Sequence, residues 1–293
     1  MRRLIGHDAA VNAVAYLPGG RAISASDDST VAVWNLADGT RIRSLTGHGA
    51  KVTAIAVSPD GASIASAAWD GTVRLWTSDR GAELRTLEHK ANVNVIAFSR
   101  DGEQLTSAGS DGKVIVWNVA DGARLREFGS SGFPIIALSF TADGRSLLTA
   151  SADMMVRQWD PAAGRENAVP QRYDAPILAL AVSADGIAAA SDLHGSVRLW
   201  QPGDVASLRL IAGSGDPVWA VGLTLNGERL VTGAADGVLR VWEVRTGRLL
   251  GPETEVASST DLTFDGGEGA RLFRKCAICH SISADGGGRA GPT

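Results

Sequence analysis

Both cysteines of the 293-residue chain fall in "KCAICHS", residues 275–281, as Cys276 and Cys279 with His280 immediately after. Two thiols three positions apart on a helical turn project to the same side. Each can add to a vinyl group of a haem while the neighbouring imidazole reaches the iron, so the triplet reads as a haem c attachment site with His280 as axial ligand. Two other chemistries use the same residue types. A structural zinc site closes with four N or S ligands, and only three are near. A dithiol redox pair belongs in a βαβ setting, a pattern the surrounding tail does not carry.

"EGARLFRKCAICH" reads as a helix, with Gly269 and Phe273 four apart, Leu272 one turn before Cys276 and no interrupting proline. "RAGPT" then places Pro292 twelve residues after His280. The stretch resembles the N-terminal part of a small soluble, class I c-type cytochrome: "GARLF" for the first helix, "CAICH" for attachment, "RAGPT" for the following loop. The resemblance covers residues 268–293 and implies haem c with its iron on His280 and the carbonyl of Pro292 holding the ligand's other ring nitrogen. It also implies electron transfer with a redox partner protein, and a bacterial periplasmic location, where covalent haem attachment takes place. The family's further helices and its axial methionine would follow Thr293, so the chain is expected to be cut off at its carboxyl end.

The rest of the chain is a tandem array. Trp34, Trp76, Trp117, Trp159, Trp200 and Trp242 stand 42, 41, 42, 41 and 42 residues apart, a regularity that signals structural repeats. Gly20, Gly61, Gly102, Gly144, Gly186 and Gly227 keep step, in contexts such as "SPDGAS" and "TADGRS". These are hairpin turns that need a positive φ. Between them lie short Val-, Ile-, Leu- and Ala-rich segments such as "VTAIAVS" and "TVRLWT", read as strands. Four such segments per period, with the Trp ending the third, resemble the WD40 repeats of β-propellers, over roughly residues 2–250. The expected fold is therefore all-β: a WD40-type propeller with six visible repeats, a seventh blade being open for the intact protein, followed by a short helical cytochrome c segment.

The resemblance implies a polar His, Ser/Thr, Asp and Trp set in each blade. Three repeats carry it complete: His7, Ser24, Asp28, Trp34; His48, Ser66, Asp70, Trp76; and His89, Ser107, Asp111, Trp117. The fourth keeps Thr149, Asp153 and Trp159, and the sixth Thr232, Asp236 and Trp242. The fifth keeps Trp200 but has Ala190 and His194, with Asp192 two residues earlier. A buried imidazole between a serine and an aspartate satisfies a tight turn, so these sets read as structural rather than catalytic. His194 is the histidine to which a ligand role could attach. Trp69 and Trp219 stand outside the column; core packing is expected for them, partner recognition being the alternative.

Domains are read as 1–250 for the propeller, 251–267 for a linker in which "DLTF" (261–264) could form a degenerate blade strand, and 268–293 for the incomplete cytochrome segment. "RRLI" at 2–5 matches the fourth-strand segment before the next "TGH", so sequence is expected to be missing upstream of Met1. That loss also accounts for a start without the apolar run of an export signal. The net charge of −4, from 28 basic and 32 acidic residues, sets up no field for nucleic acid or an anionic membrane. Nor does any apolar run approach the roughly 18 residues of a membrane span. The leading functional expectation is an electron carrier whose propeller is a docking platform, not an enzyme. A protein-interaction scaffold without a redox role is the alternative. An oxidoreductase with a second site in the propeller is the third reading, for which no second cofactor motif is present.

Overall fold

The structure is a computed structural model and describes residues 4–129, 132–168, 170–211, 215–224, 226–250 and 254–255. Six antiparallel sheets follow one another as the blades of a β-propeller. From the inner strand outwards, blade one comprises Val11–Leu17, Arg21–Ser26, Val31–Asn35 and Arg41–Leu45. Blade two comprises Val52–Val57, Ser63–Ala68, Thr72–Thr77 and Glu83–Glu88, and blade three Val93–Phe98, Gln104–Gly109, Lys113–Asn118 and Arg124–Gly129. Blade four has Ile135–Phe140, Leu147–Ser151 and Met155–Asp160, but its outer strand is split into Arg165–Glu166 and Gln171–Arg172. Blade five has Ile177–Val182, Ala188–Asp192, Val197–Gln201 and Asp204–Ile211. Blade six has Val218–Leu223, Arg229–Ala234 and Val238–Glu243, and its fourth strand, Thr254–Glu255, falls inside the stretch read above as linker.

The Asp-Gly hairpins form as read. In blade two Ser58 Oγ donates to Asp60 Oδ1, which also accepts the Ala62 amide at 2.9 Å, and Gly61 turns the chain at φ +72°. All six marker glycines have positive φ.

A blade is too thin to bury both faces alone, so its core lies between it and its neighbour. Five of the six apolar clusters are of this kind, one at each step from blade one to blade six. Polar bonds tie the inner strands across the same steps. Asn12 Nδ2 donates to Val52 O at 2.9 Å, Thr53 Oγ1 to Val93 O at 2.6 Å, and Asn94 Nδ2 to Ile135 O at 3.0 Å.

The sixth cluster is confined to blade one, where Ala22, Ala32 and Trp34 pack with Leu4. Leu4 thus meets Trp34 as Leu45 meets the cluster of Trp76, and Leu87 that of Trp117, although Leu4 and Ile5 form no strand. Val57, Phe98, Phe140, Val182 and Leu223 each pack into the core shared with the preceding blade. Tyr16, at their position in blade one, is 59% exposed. Among the described residues no apolar cluster joins blade six to blade one.

Candidate functional site

The complete polar sets sit where the loop entering each blade meets the turn between its second and third strands. In blade one His7 Nδ1 lies 2.7 Å from Asp28 Oδ2, and His7 Nε2 lies 2.7 Å from Ser24 Oγ. Trp34 Nε1 donates to the same Ser24 Oγ at 2.7 Å. Blade two repeats this, with His48 at 2.9 Å from Asp70 and 2.8 Å from Ser66, and Trp76 donating to Ser66 at 2.9 Å. In blade three the imidazole is turned over, with Nδ1 2.9 Å from Ser107 Oγ and Nε2 3.4 Å from Asp111, while Trp117 donates to Ser107 at 2.8 Å.

One neutral tautomer satisfies every member of the chain. The indole N–H donates to the serine, the serine hydroxyl donates to one imidazole nitrogen, and the other imidazole N–H donates to the carboxylate. The order Ser-His-Asp is that of an acyl-transfer triad. However, Ser66 and Ser107 have no exposed surface, and each hydroxyl already accepts an indole proton. The sets hold turns and are not nucleophiles.

The carboxylates are tuned to the same task. Burial opposes ionisation of Asp28, but hydrogen bonds from Thr30, His7 and the Asp8 amide outweigh it and bring its pKa to about 2. Burial also pushes the His48 and His89 imidazoles below their ordinary value, against the pull of Asp70 and Asp111. The unfolded chain takes up these two protons near pH 6.5, before the folded one does. The histidine contribution to stability is therefore present above about pH 6.5 and is lost as pH falls through that value towards the folded pKa. A lower urea midpoint is expected at pH 5.5 than at pH 7.5, with the difference shrinking in His48→Asn and His89→Asn; a difference unchanged in both variants would contradict the assignment.

In blades four and six an arginine takes over the histidine's pairing with the turn aspartate. Trp159 and Trp242 donate to Thr149 and Thr232 at 2.8 and 2.9 Å. Asp153 pairs with Arg157, and Asp236 with Arg240, each at 2.7 Å. Both arginines lie two residues before the column tryptophan, a spacing that sequence reasoning did not weigh. The signal is ambiguous, because Arg74 holds the same position and pairs with Glu83 instead.

Blade five keeps Trp200 and replaces the rest of the set. Tyr173 lies 27 residues before Trp200, as His7 lies before Trp34, and it was missed at the sequence level. Its ring is fully buried, the Arg198 guanidinium sits 4.1 Å from the ring centroid, and burial pushes the phenol pKa up. Ala190 stands where Ser or Thr would accept the indole proton. Asp192 caps the turn in place of the usual Asp, accepting the amides of His194 and Ser196 at 3.0 and 2.9 Å. His194 is exposed, and among the described residues it joins no cluster of metal-ligating side chains.

Trp69 corrects an expectation, because it is not core: it is 37% exposed, with Lys51 Nζ 3.3 Å from its ring centroid and its Nε1 donating to Asn94 Oδ1. Trp219, on the inner strand of blade six, is half-buried. Cys276, Cys279, His280 and Pro292, with the helix expected around them, lie outside the described residues.

The family model described as WD domain, G-beta repeat, matches residues 1–35, 39–77, 81–118, 122–160 and 206–243. The unmatched interval between the last two contains Tyr173, Ala190 and His194, the residues with which blade five departs from the repeat. No curated protein matches the chain. With repeats matched over more than half its length and six sheets built on the same tryptophan column, the chain belongs to the WD40 family of β-propeller proteins.

Proposed function

We propose that this chain is a protein-interaction platform, its ring presenting one end to a partner protein. The observation that carries the reading is how the polar and aromatic side chains are divided. The Ser, His, Asp and Trp sets are spent inside the blades. At the end where the inner strands begin, Trp69 stays exposed beneath Lys51, and Phe133, in the loop entering blade four, is 52% exposed. Tryptophan, with tyrosine and arginine, is enriched at the energetic centre of interfaces. Proteins retained from an extract of the source organism on the immobilised chain are expected to fall at least tenfold on Trp69→Ala, with the melting temperature unchanged. Equal retention by both, or no specific retention, sinks this reading.

The tail adds a second reading, on one specific observation: the C-x-x-C-H sequence is complete at Cys276, Cys279 and His280, with Pro292 twelve residues on. Two thiols and an imidazole are the donor set that haem c requires. In this reading Cys276 and Cys279 form the thioether tethers, His280 holds the iron, and the Pro292 carbonyl orients the imidazole. Bound haem supplies one-electron redox chemistry, and the ring brings it to a redox partner in the periplasm. Protein matured in a host with a haem-attachment system is expected to show a pyridine haemochrome band and added mass on both cysteines, absent in Cys276→Ala/Cys279→Ala. No band in the wild type leaves the platform alone.

A further inference from the structure

The interface between blades four and five contains a cavity of about 220 Å³ that exists because two local rules of the repeat are broken there. The outer strand of blade four pairs with the third strand at Glu166 and again at Gln171; the Asn167 amide still donates to Gln158 O at 3.0 Å, and Pro170 has no amide proton to give a ladder. The gap opens beside Val156 and Leu148 and is backed by Trp200 of blade five.

Trp200 is 3% exposed. In each of the other five blades the column indole N–H donates to a Ser or Thr hydroxyl, at 2.7 to 2.9 Å. Ala190 removes that acceptor, and Trp200 finds no other among the described residues. Across the same cavity Gln171 Oε1 is buried without a donor. Tyr173, in the same inter-blade core, has a buried hydroxyl without a partner as well. The amides of Gln158 and Asn167 both donate to Ser146 Oγ at 3.0 Å, which fixes the polar wall.

A buried polar atom left unpaired costs about 1–3 kcal/mol; Gln171 Oε1 is such an atom, and with the Trp200 indole lining the same space without a protein acceptor among the described residues, the two point to something that pairs with both. The volume corresponds to about seven waters at ~30 Å³ each, or to one small ring bearing an amide. We propose that this cavity binds a compact uncharged carboxamide or lactam, its carbonyl accepting from Trp200 Nε1 and its N–H donating to Gln171 Oε1, with Leu148, Val156 and the indole face around its apolar part. No charged side chain lines the cavity, which disfavours a carboxylate or an ammonium ligand.

Benzamide is the probe, followed by the indole N–H signals of the intact chain in a proton–nitrogen correlation spectrum. One signal, absent in Trp200→Phe, is expected to shift on titration. Ala190→Ser, which restores an acceptor to the indole, and Gln171→Leu, which removes the acceptor from the ligand, should each weaken binding at least tenfold while leaving the melting temperature unchanged or raised. Benzoate and acetophenone should bind at least tenfold more weakly than benzamide. No shift of the Trp200 signal, or equal affinity for benzamide in wild type, Ala190→Ser and Gln171→Leu, overturns the proposal and leaves a cavity filled by ordered water only.

Discussion

Trp117→Ala is expected to cost about 3–5 kcal/mol of unfolding free energy, whereas Tyr16→Ala should stay within about 0.5 kcal/mol. Trp117 is 4% exposed in the core between blades two and three, and its N–H is held by Ser107. Its loss forfeits the largest apolar contact of that core, opens a void and takes the indole donor from a buried serine. Tyr16 is also a large aromatic and lies on an inner strand at the position that Phe98 holds in blade three. The difference is context. Phe98 packs into the core shared with the blade before it, while the face of blade one that carries Tyr16 meets no such core among the described residues. Phe98→Ala is the position-matched control and should resemble Trp117→Ala. Urea denaturation of the three variants decides the matter: a Tyr16→Ala cost equal to that of Phe98→Ala would mean that this face is covered in solution.

How much of this could be read in the sequence depended on whether a physical demand leaves a residue-type mark. Positive φ in a two-residue turn admits few residues, so the marker glycines, preceded by Asp in four blades, by Gly in blade one and by Asn in blade six, located the hairpins of all six blades. Ser24, Ser66 and Ser107 were legible through the resemblance to the WD40 repeat, and the fold supplies the reason, each hydroxyl accepting its blade's indole N–H. Substitutes for the set were not legible. An arginine two residues before the tryptophan pairs with the turn aspartate in blades four and six, with Glu83 in blade two and with Asp174 in blade five, and only the fold shows which. Tyr173 could have been found by counting back 27 residues from Trp200, had the search admitted an aromatic at a histidine position. The outer strand of blade six, two residues long, is too short to show any alternation. The haem motif is the converse case, its chemistry being explicit in the order of Cys276, Cys279 and His280, which lie outside the described residues.

The turn after the second strand supplies the other large effect. The residue five before the column tryptophan has positive φ in every blade: Ser29, Gly71, Gly112, Met154, Gly195 and Gly237, between 65 and 82°. Serine and methionine tolerate the conformation, so backbone dihedral alone does not demand glycine here. Contact with the next blade does. A Cβ on Gly112 would sit 2.7 Å from Phe133 O in the loop entering blade four, and one on Gly195 would sit 2.6 Å from Asp216 O in the loop entering blade six. Both obstacles are backbone, which cannot swing aside as a side chain does. On Gly237, the last of the column, the same atom would meet nothing within 4 Å among the described residues. Left-handed strain of about 1–2 kcal/mol plus displacement of a packed loop at about 1–3 kcal/mol gives about 2–5 kcal/mol for Gly112→Ala and Gly195→Ala. Gly237→Ala should cost the strain alone, about 1–2 kcal/mol. Thermal and urea unfolding of the three alanine variants test the ordering. Equal costs at all three positions would show that φ, and not the approach of the following blade, is what keeps glycine in this column.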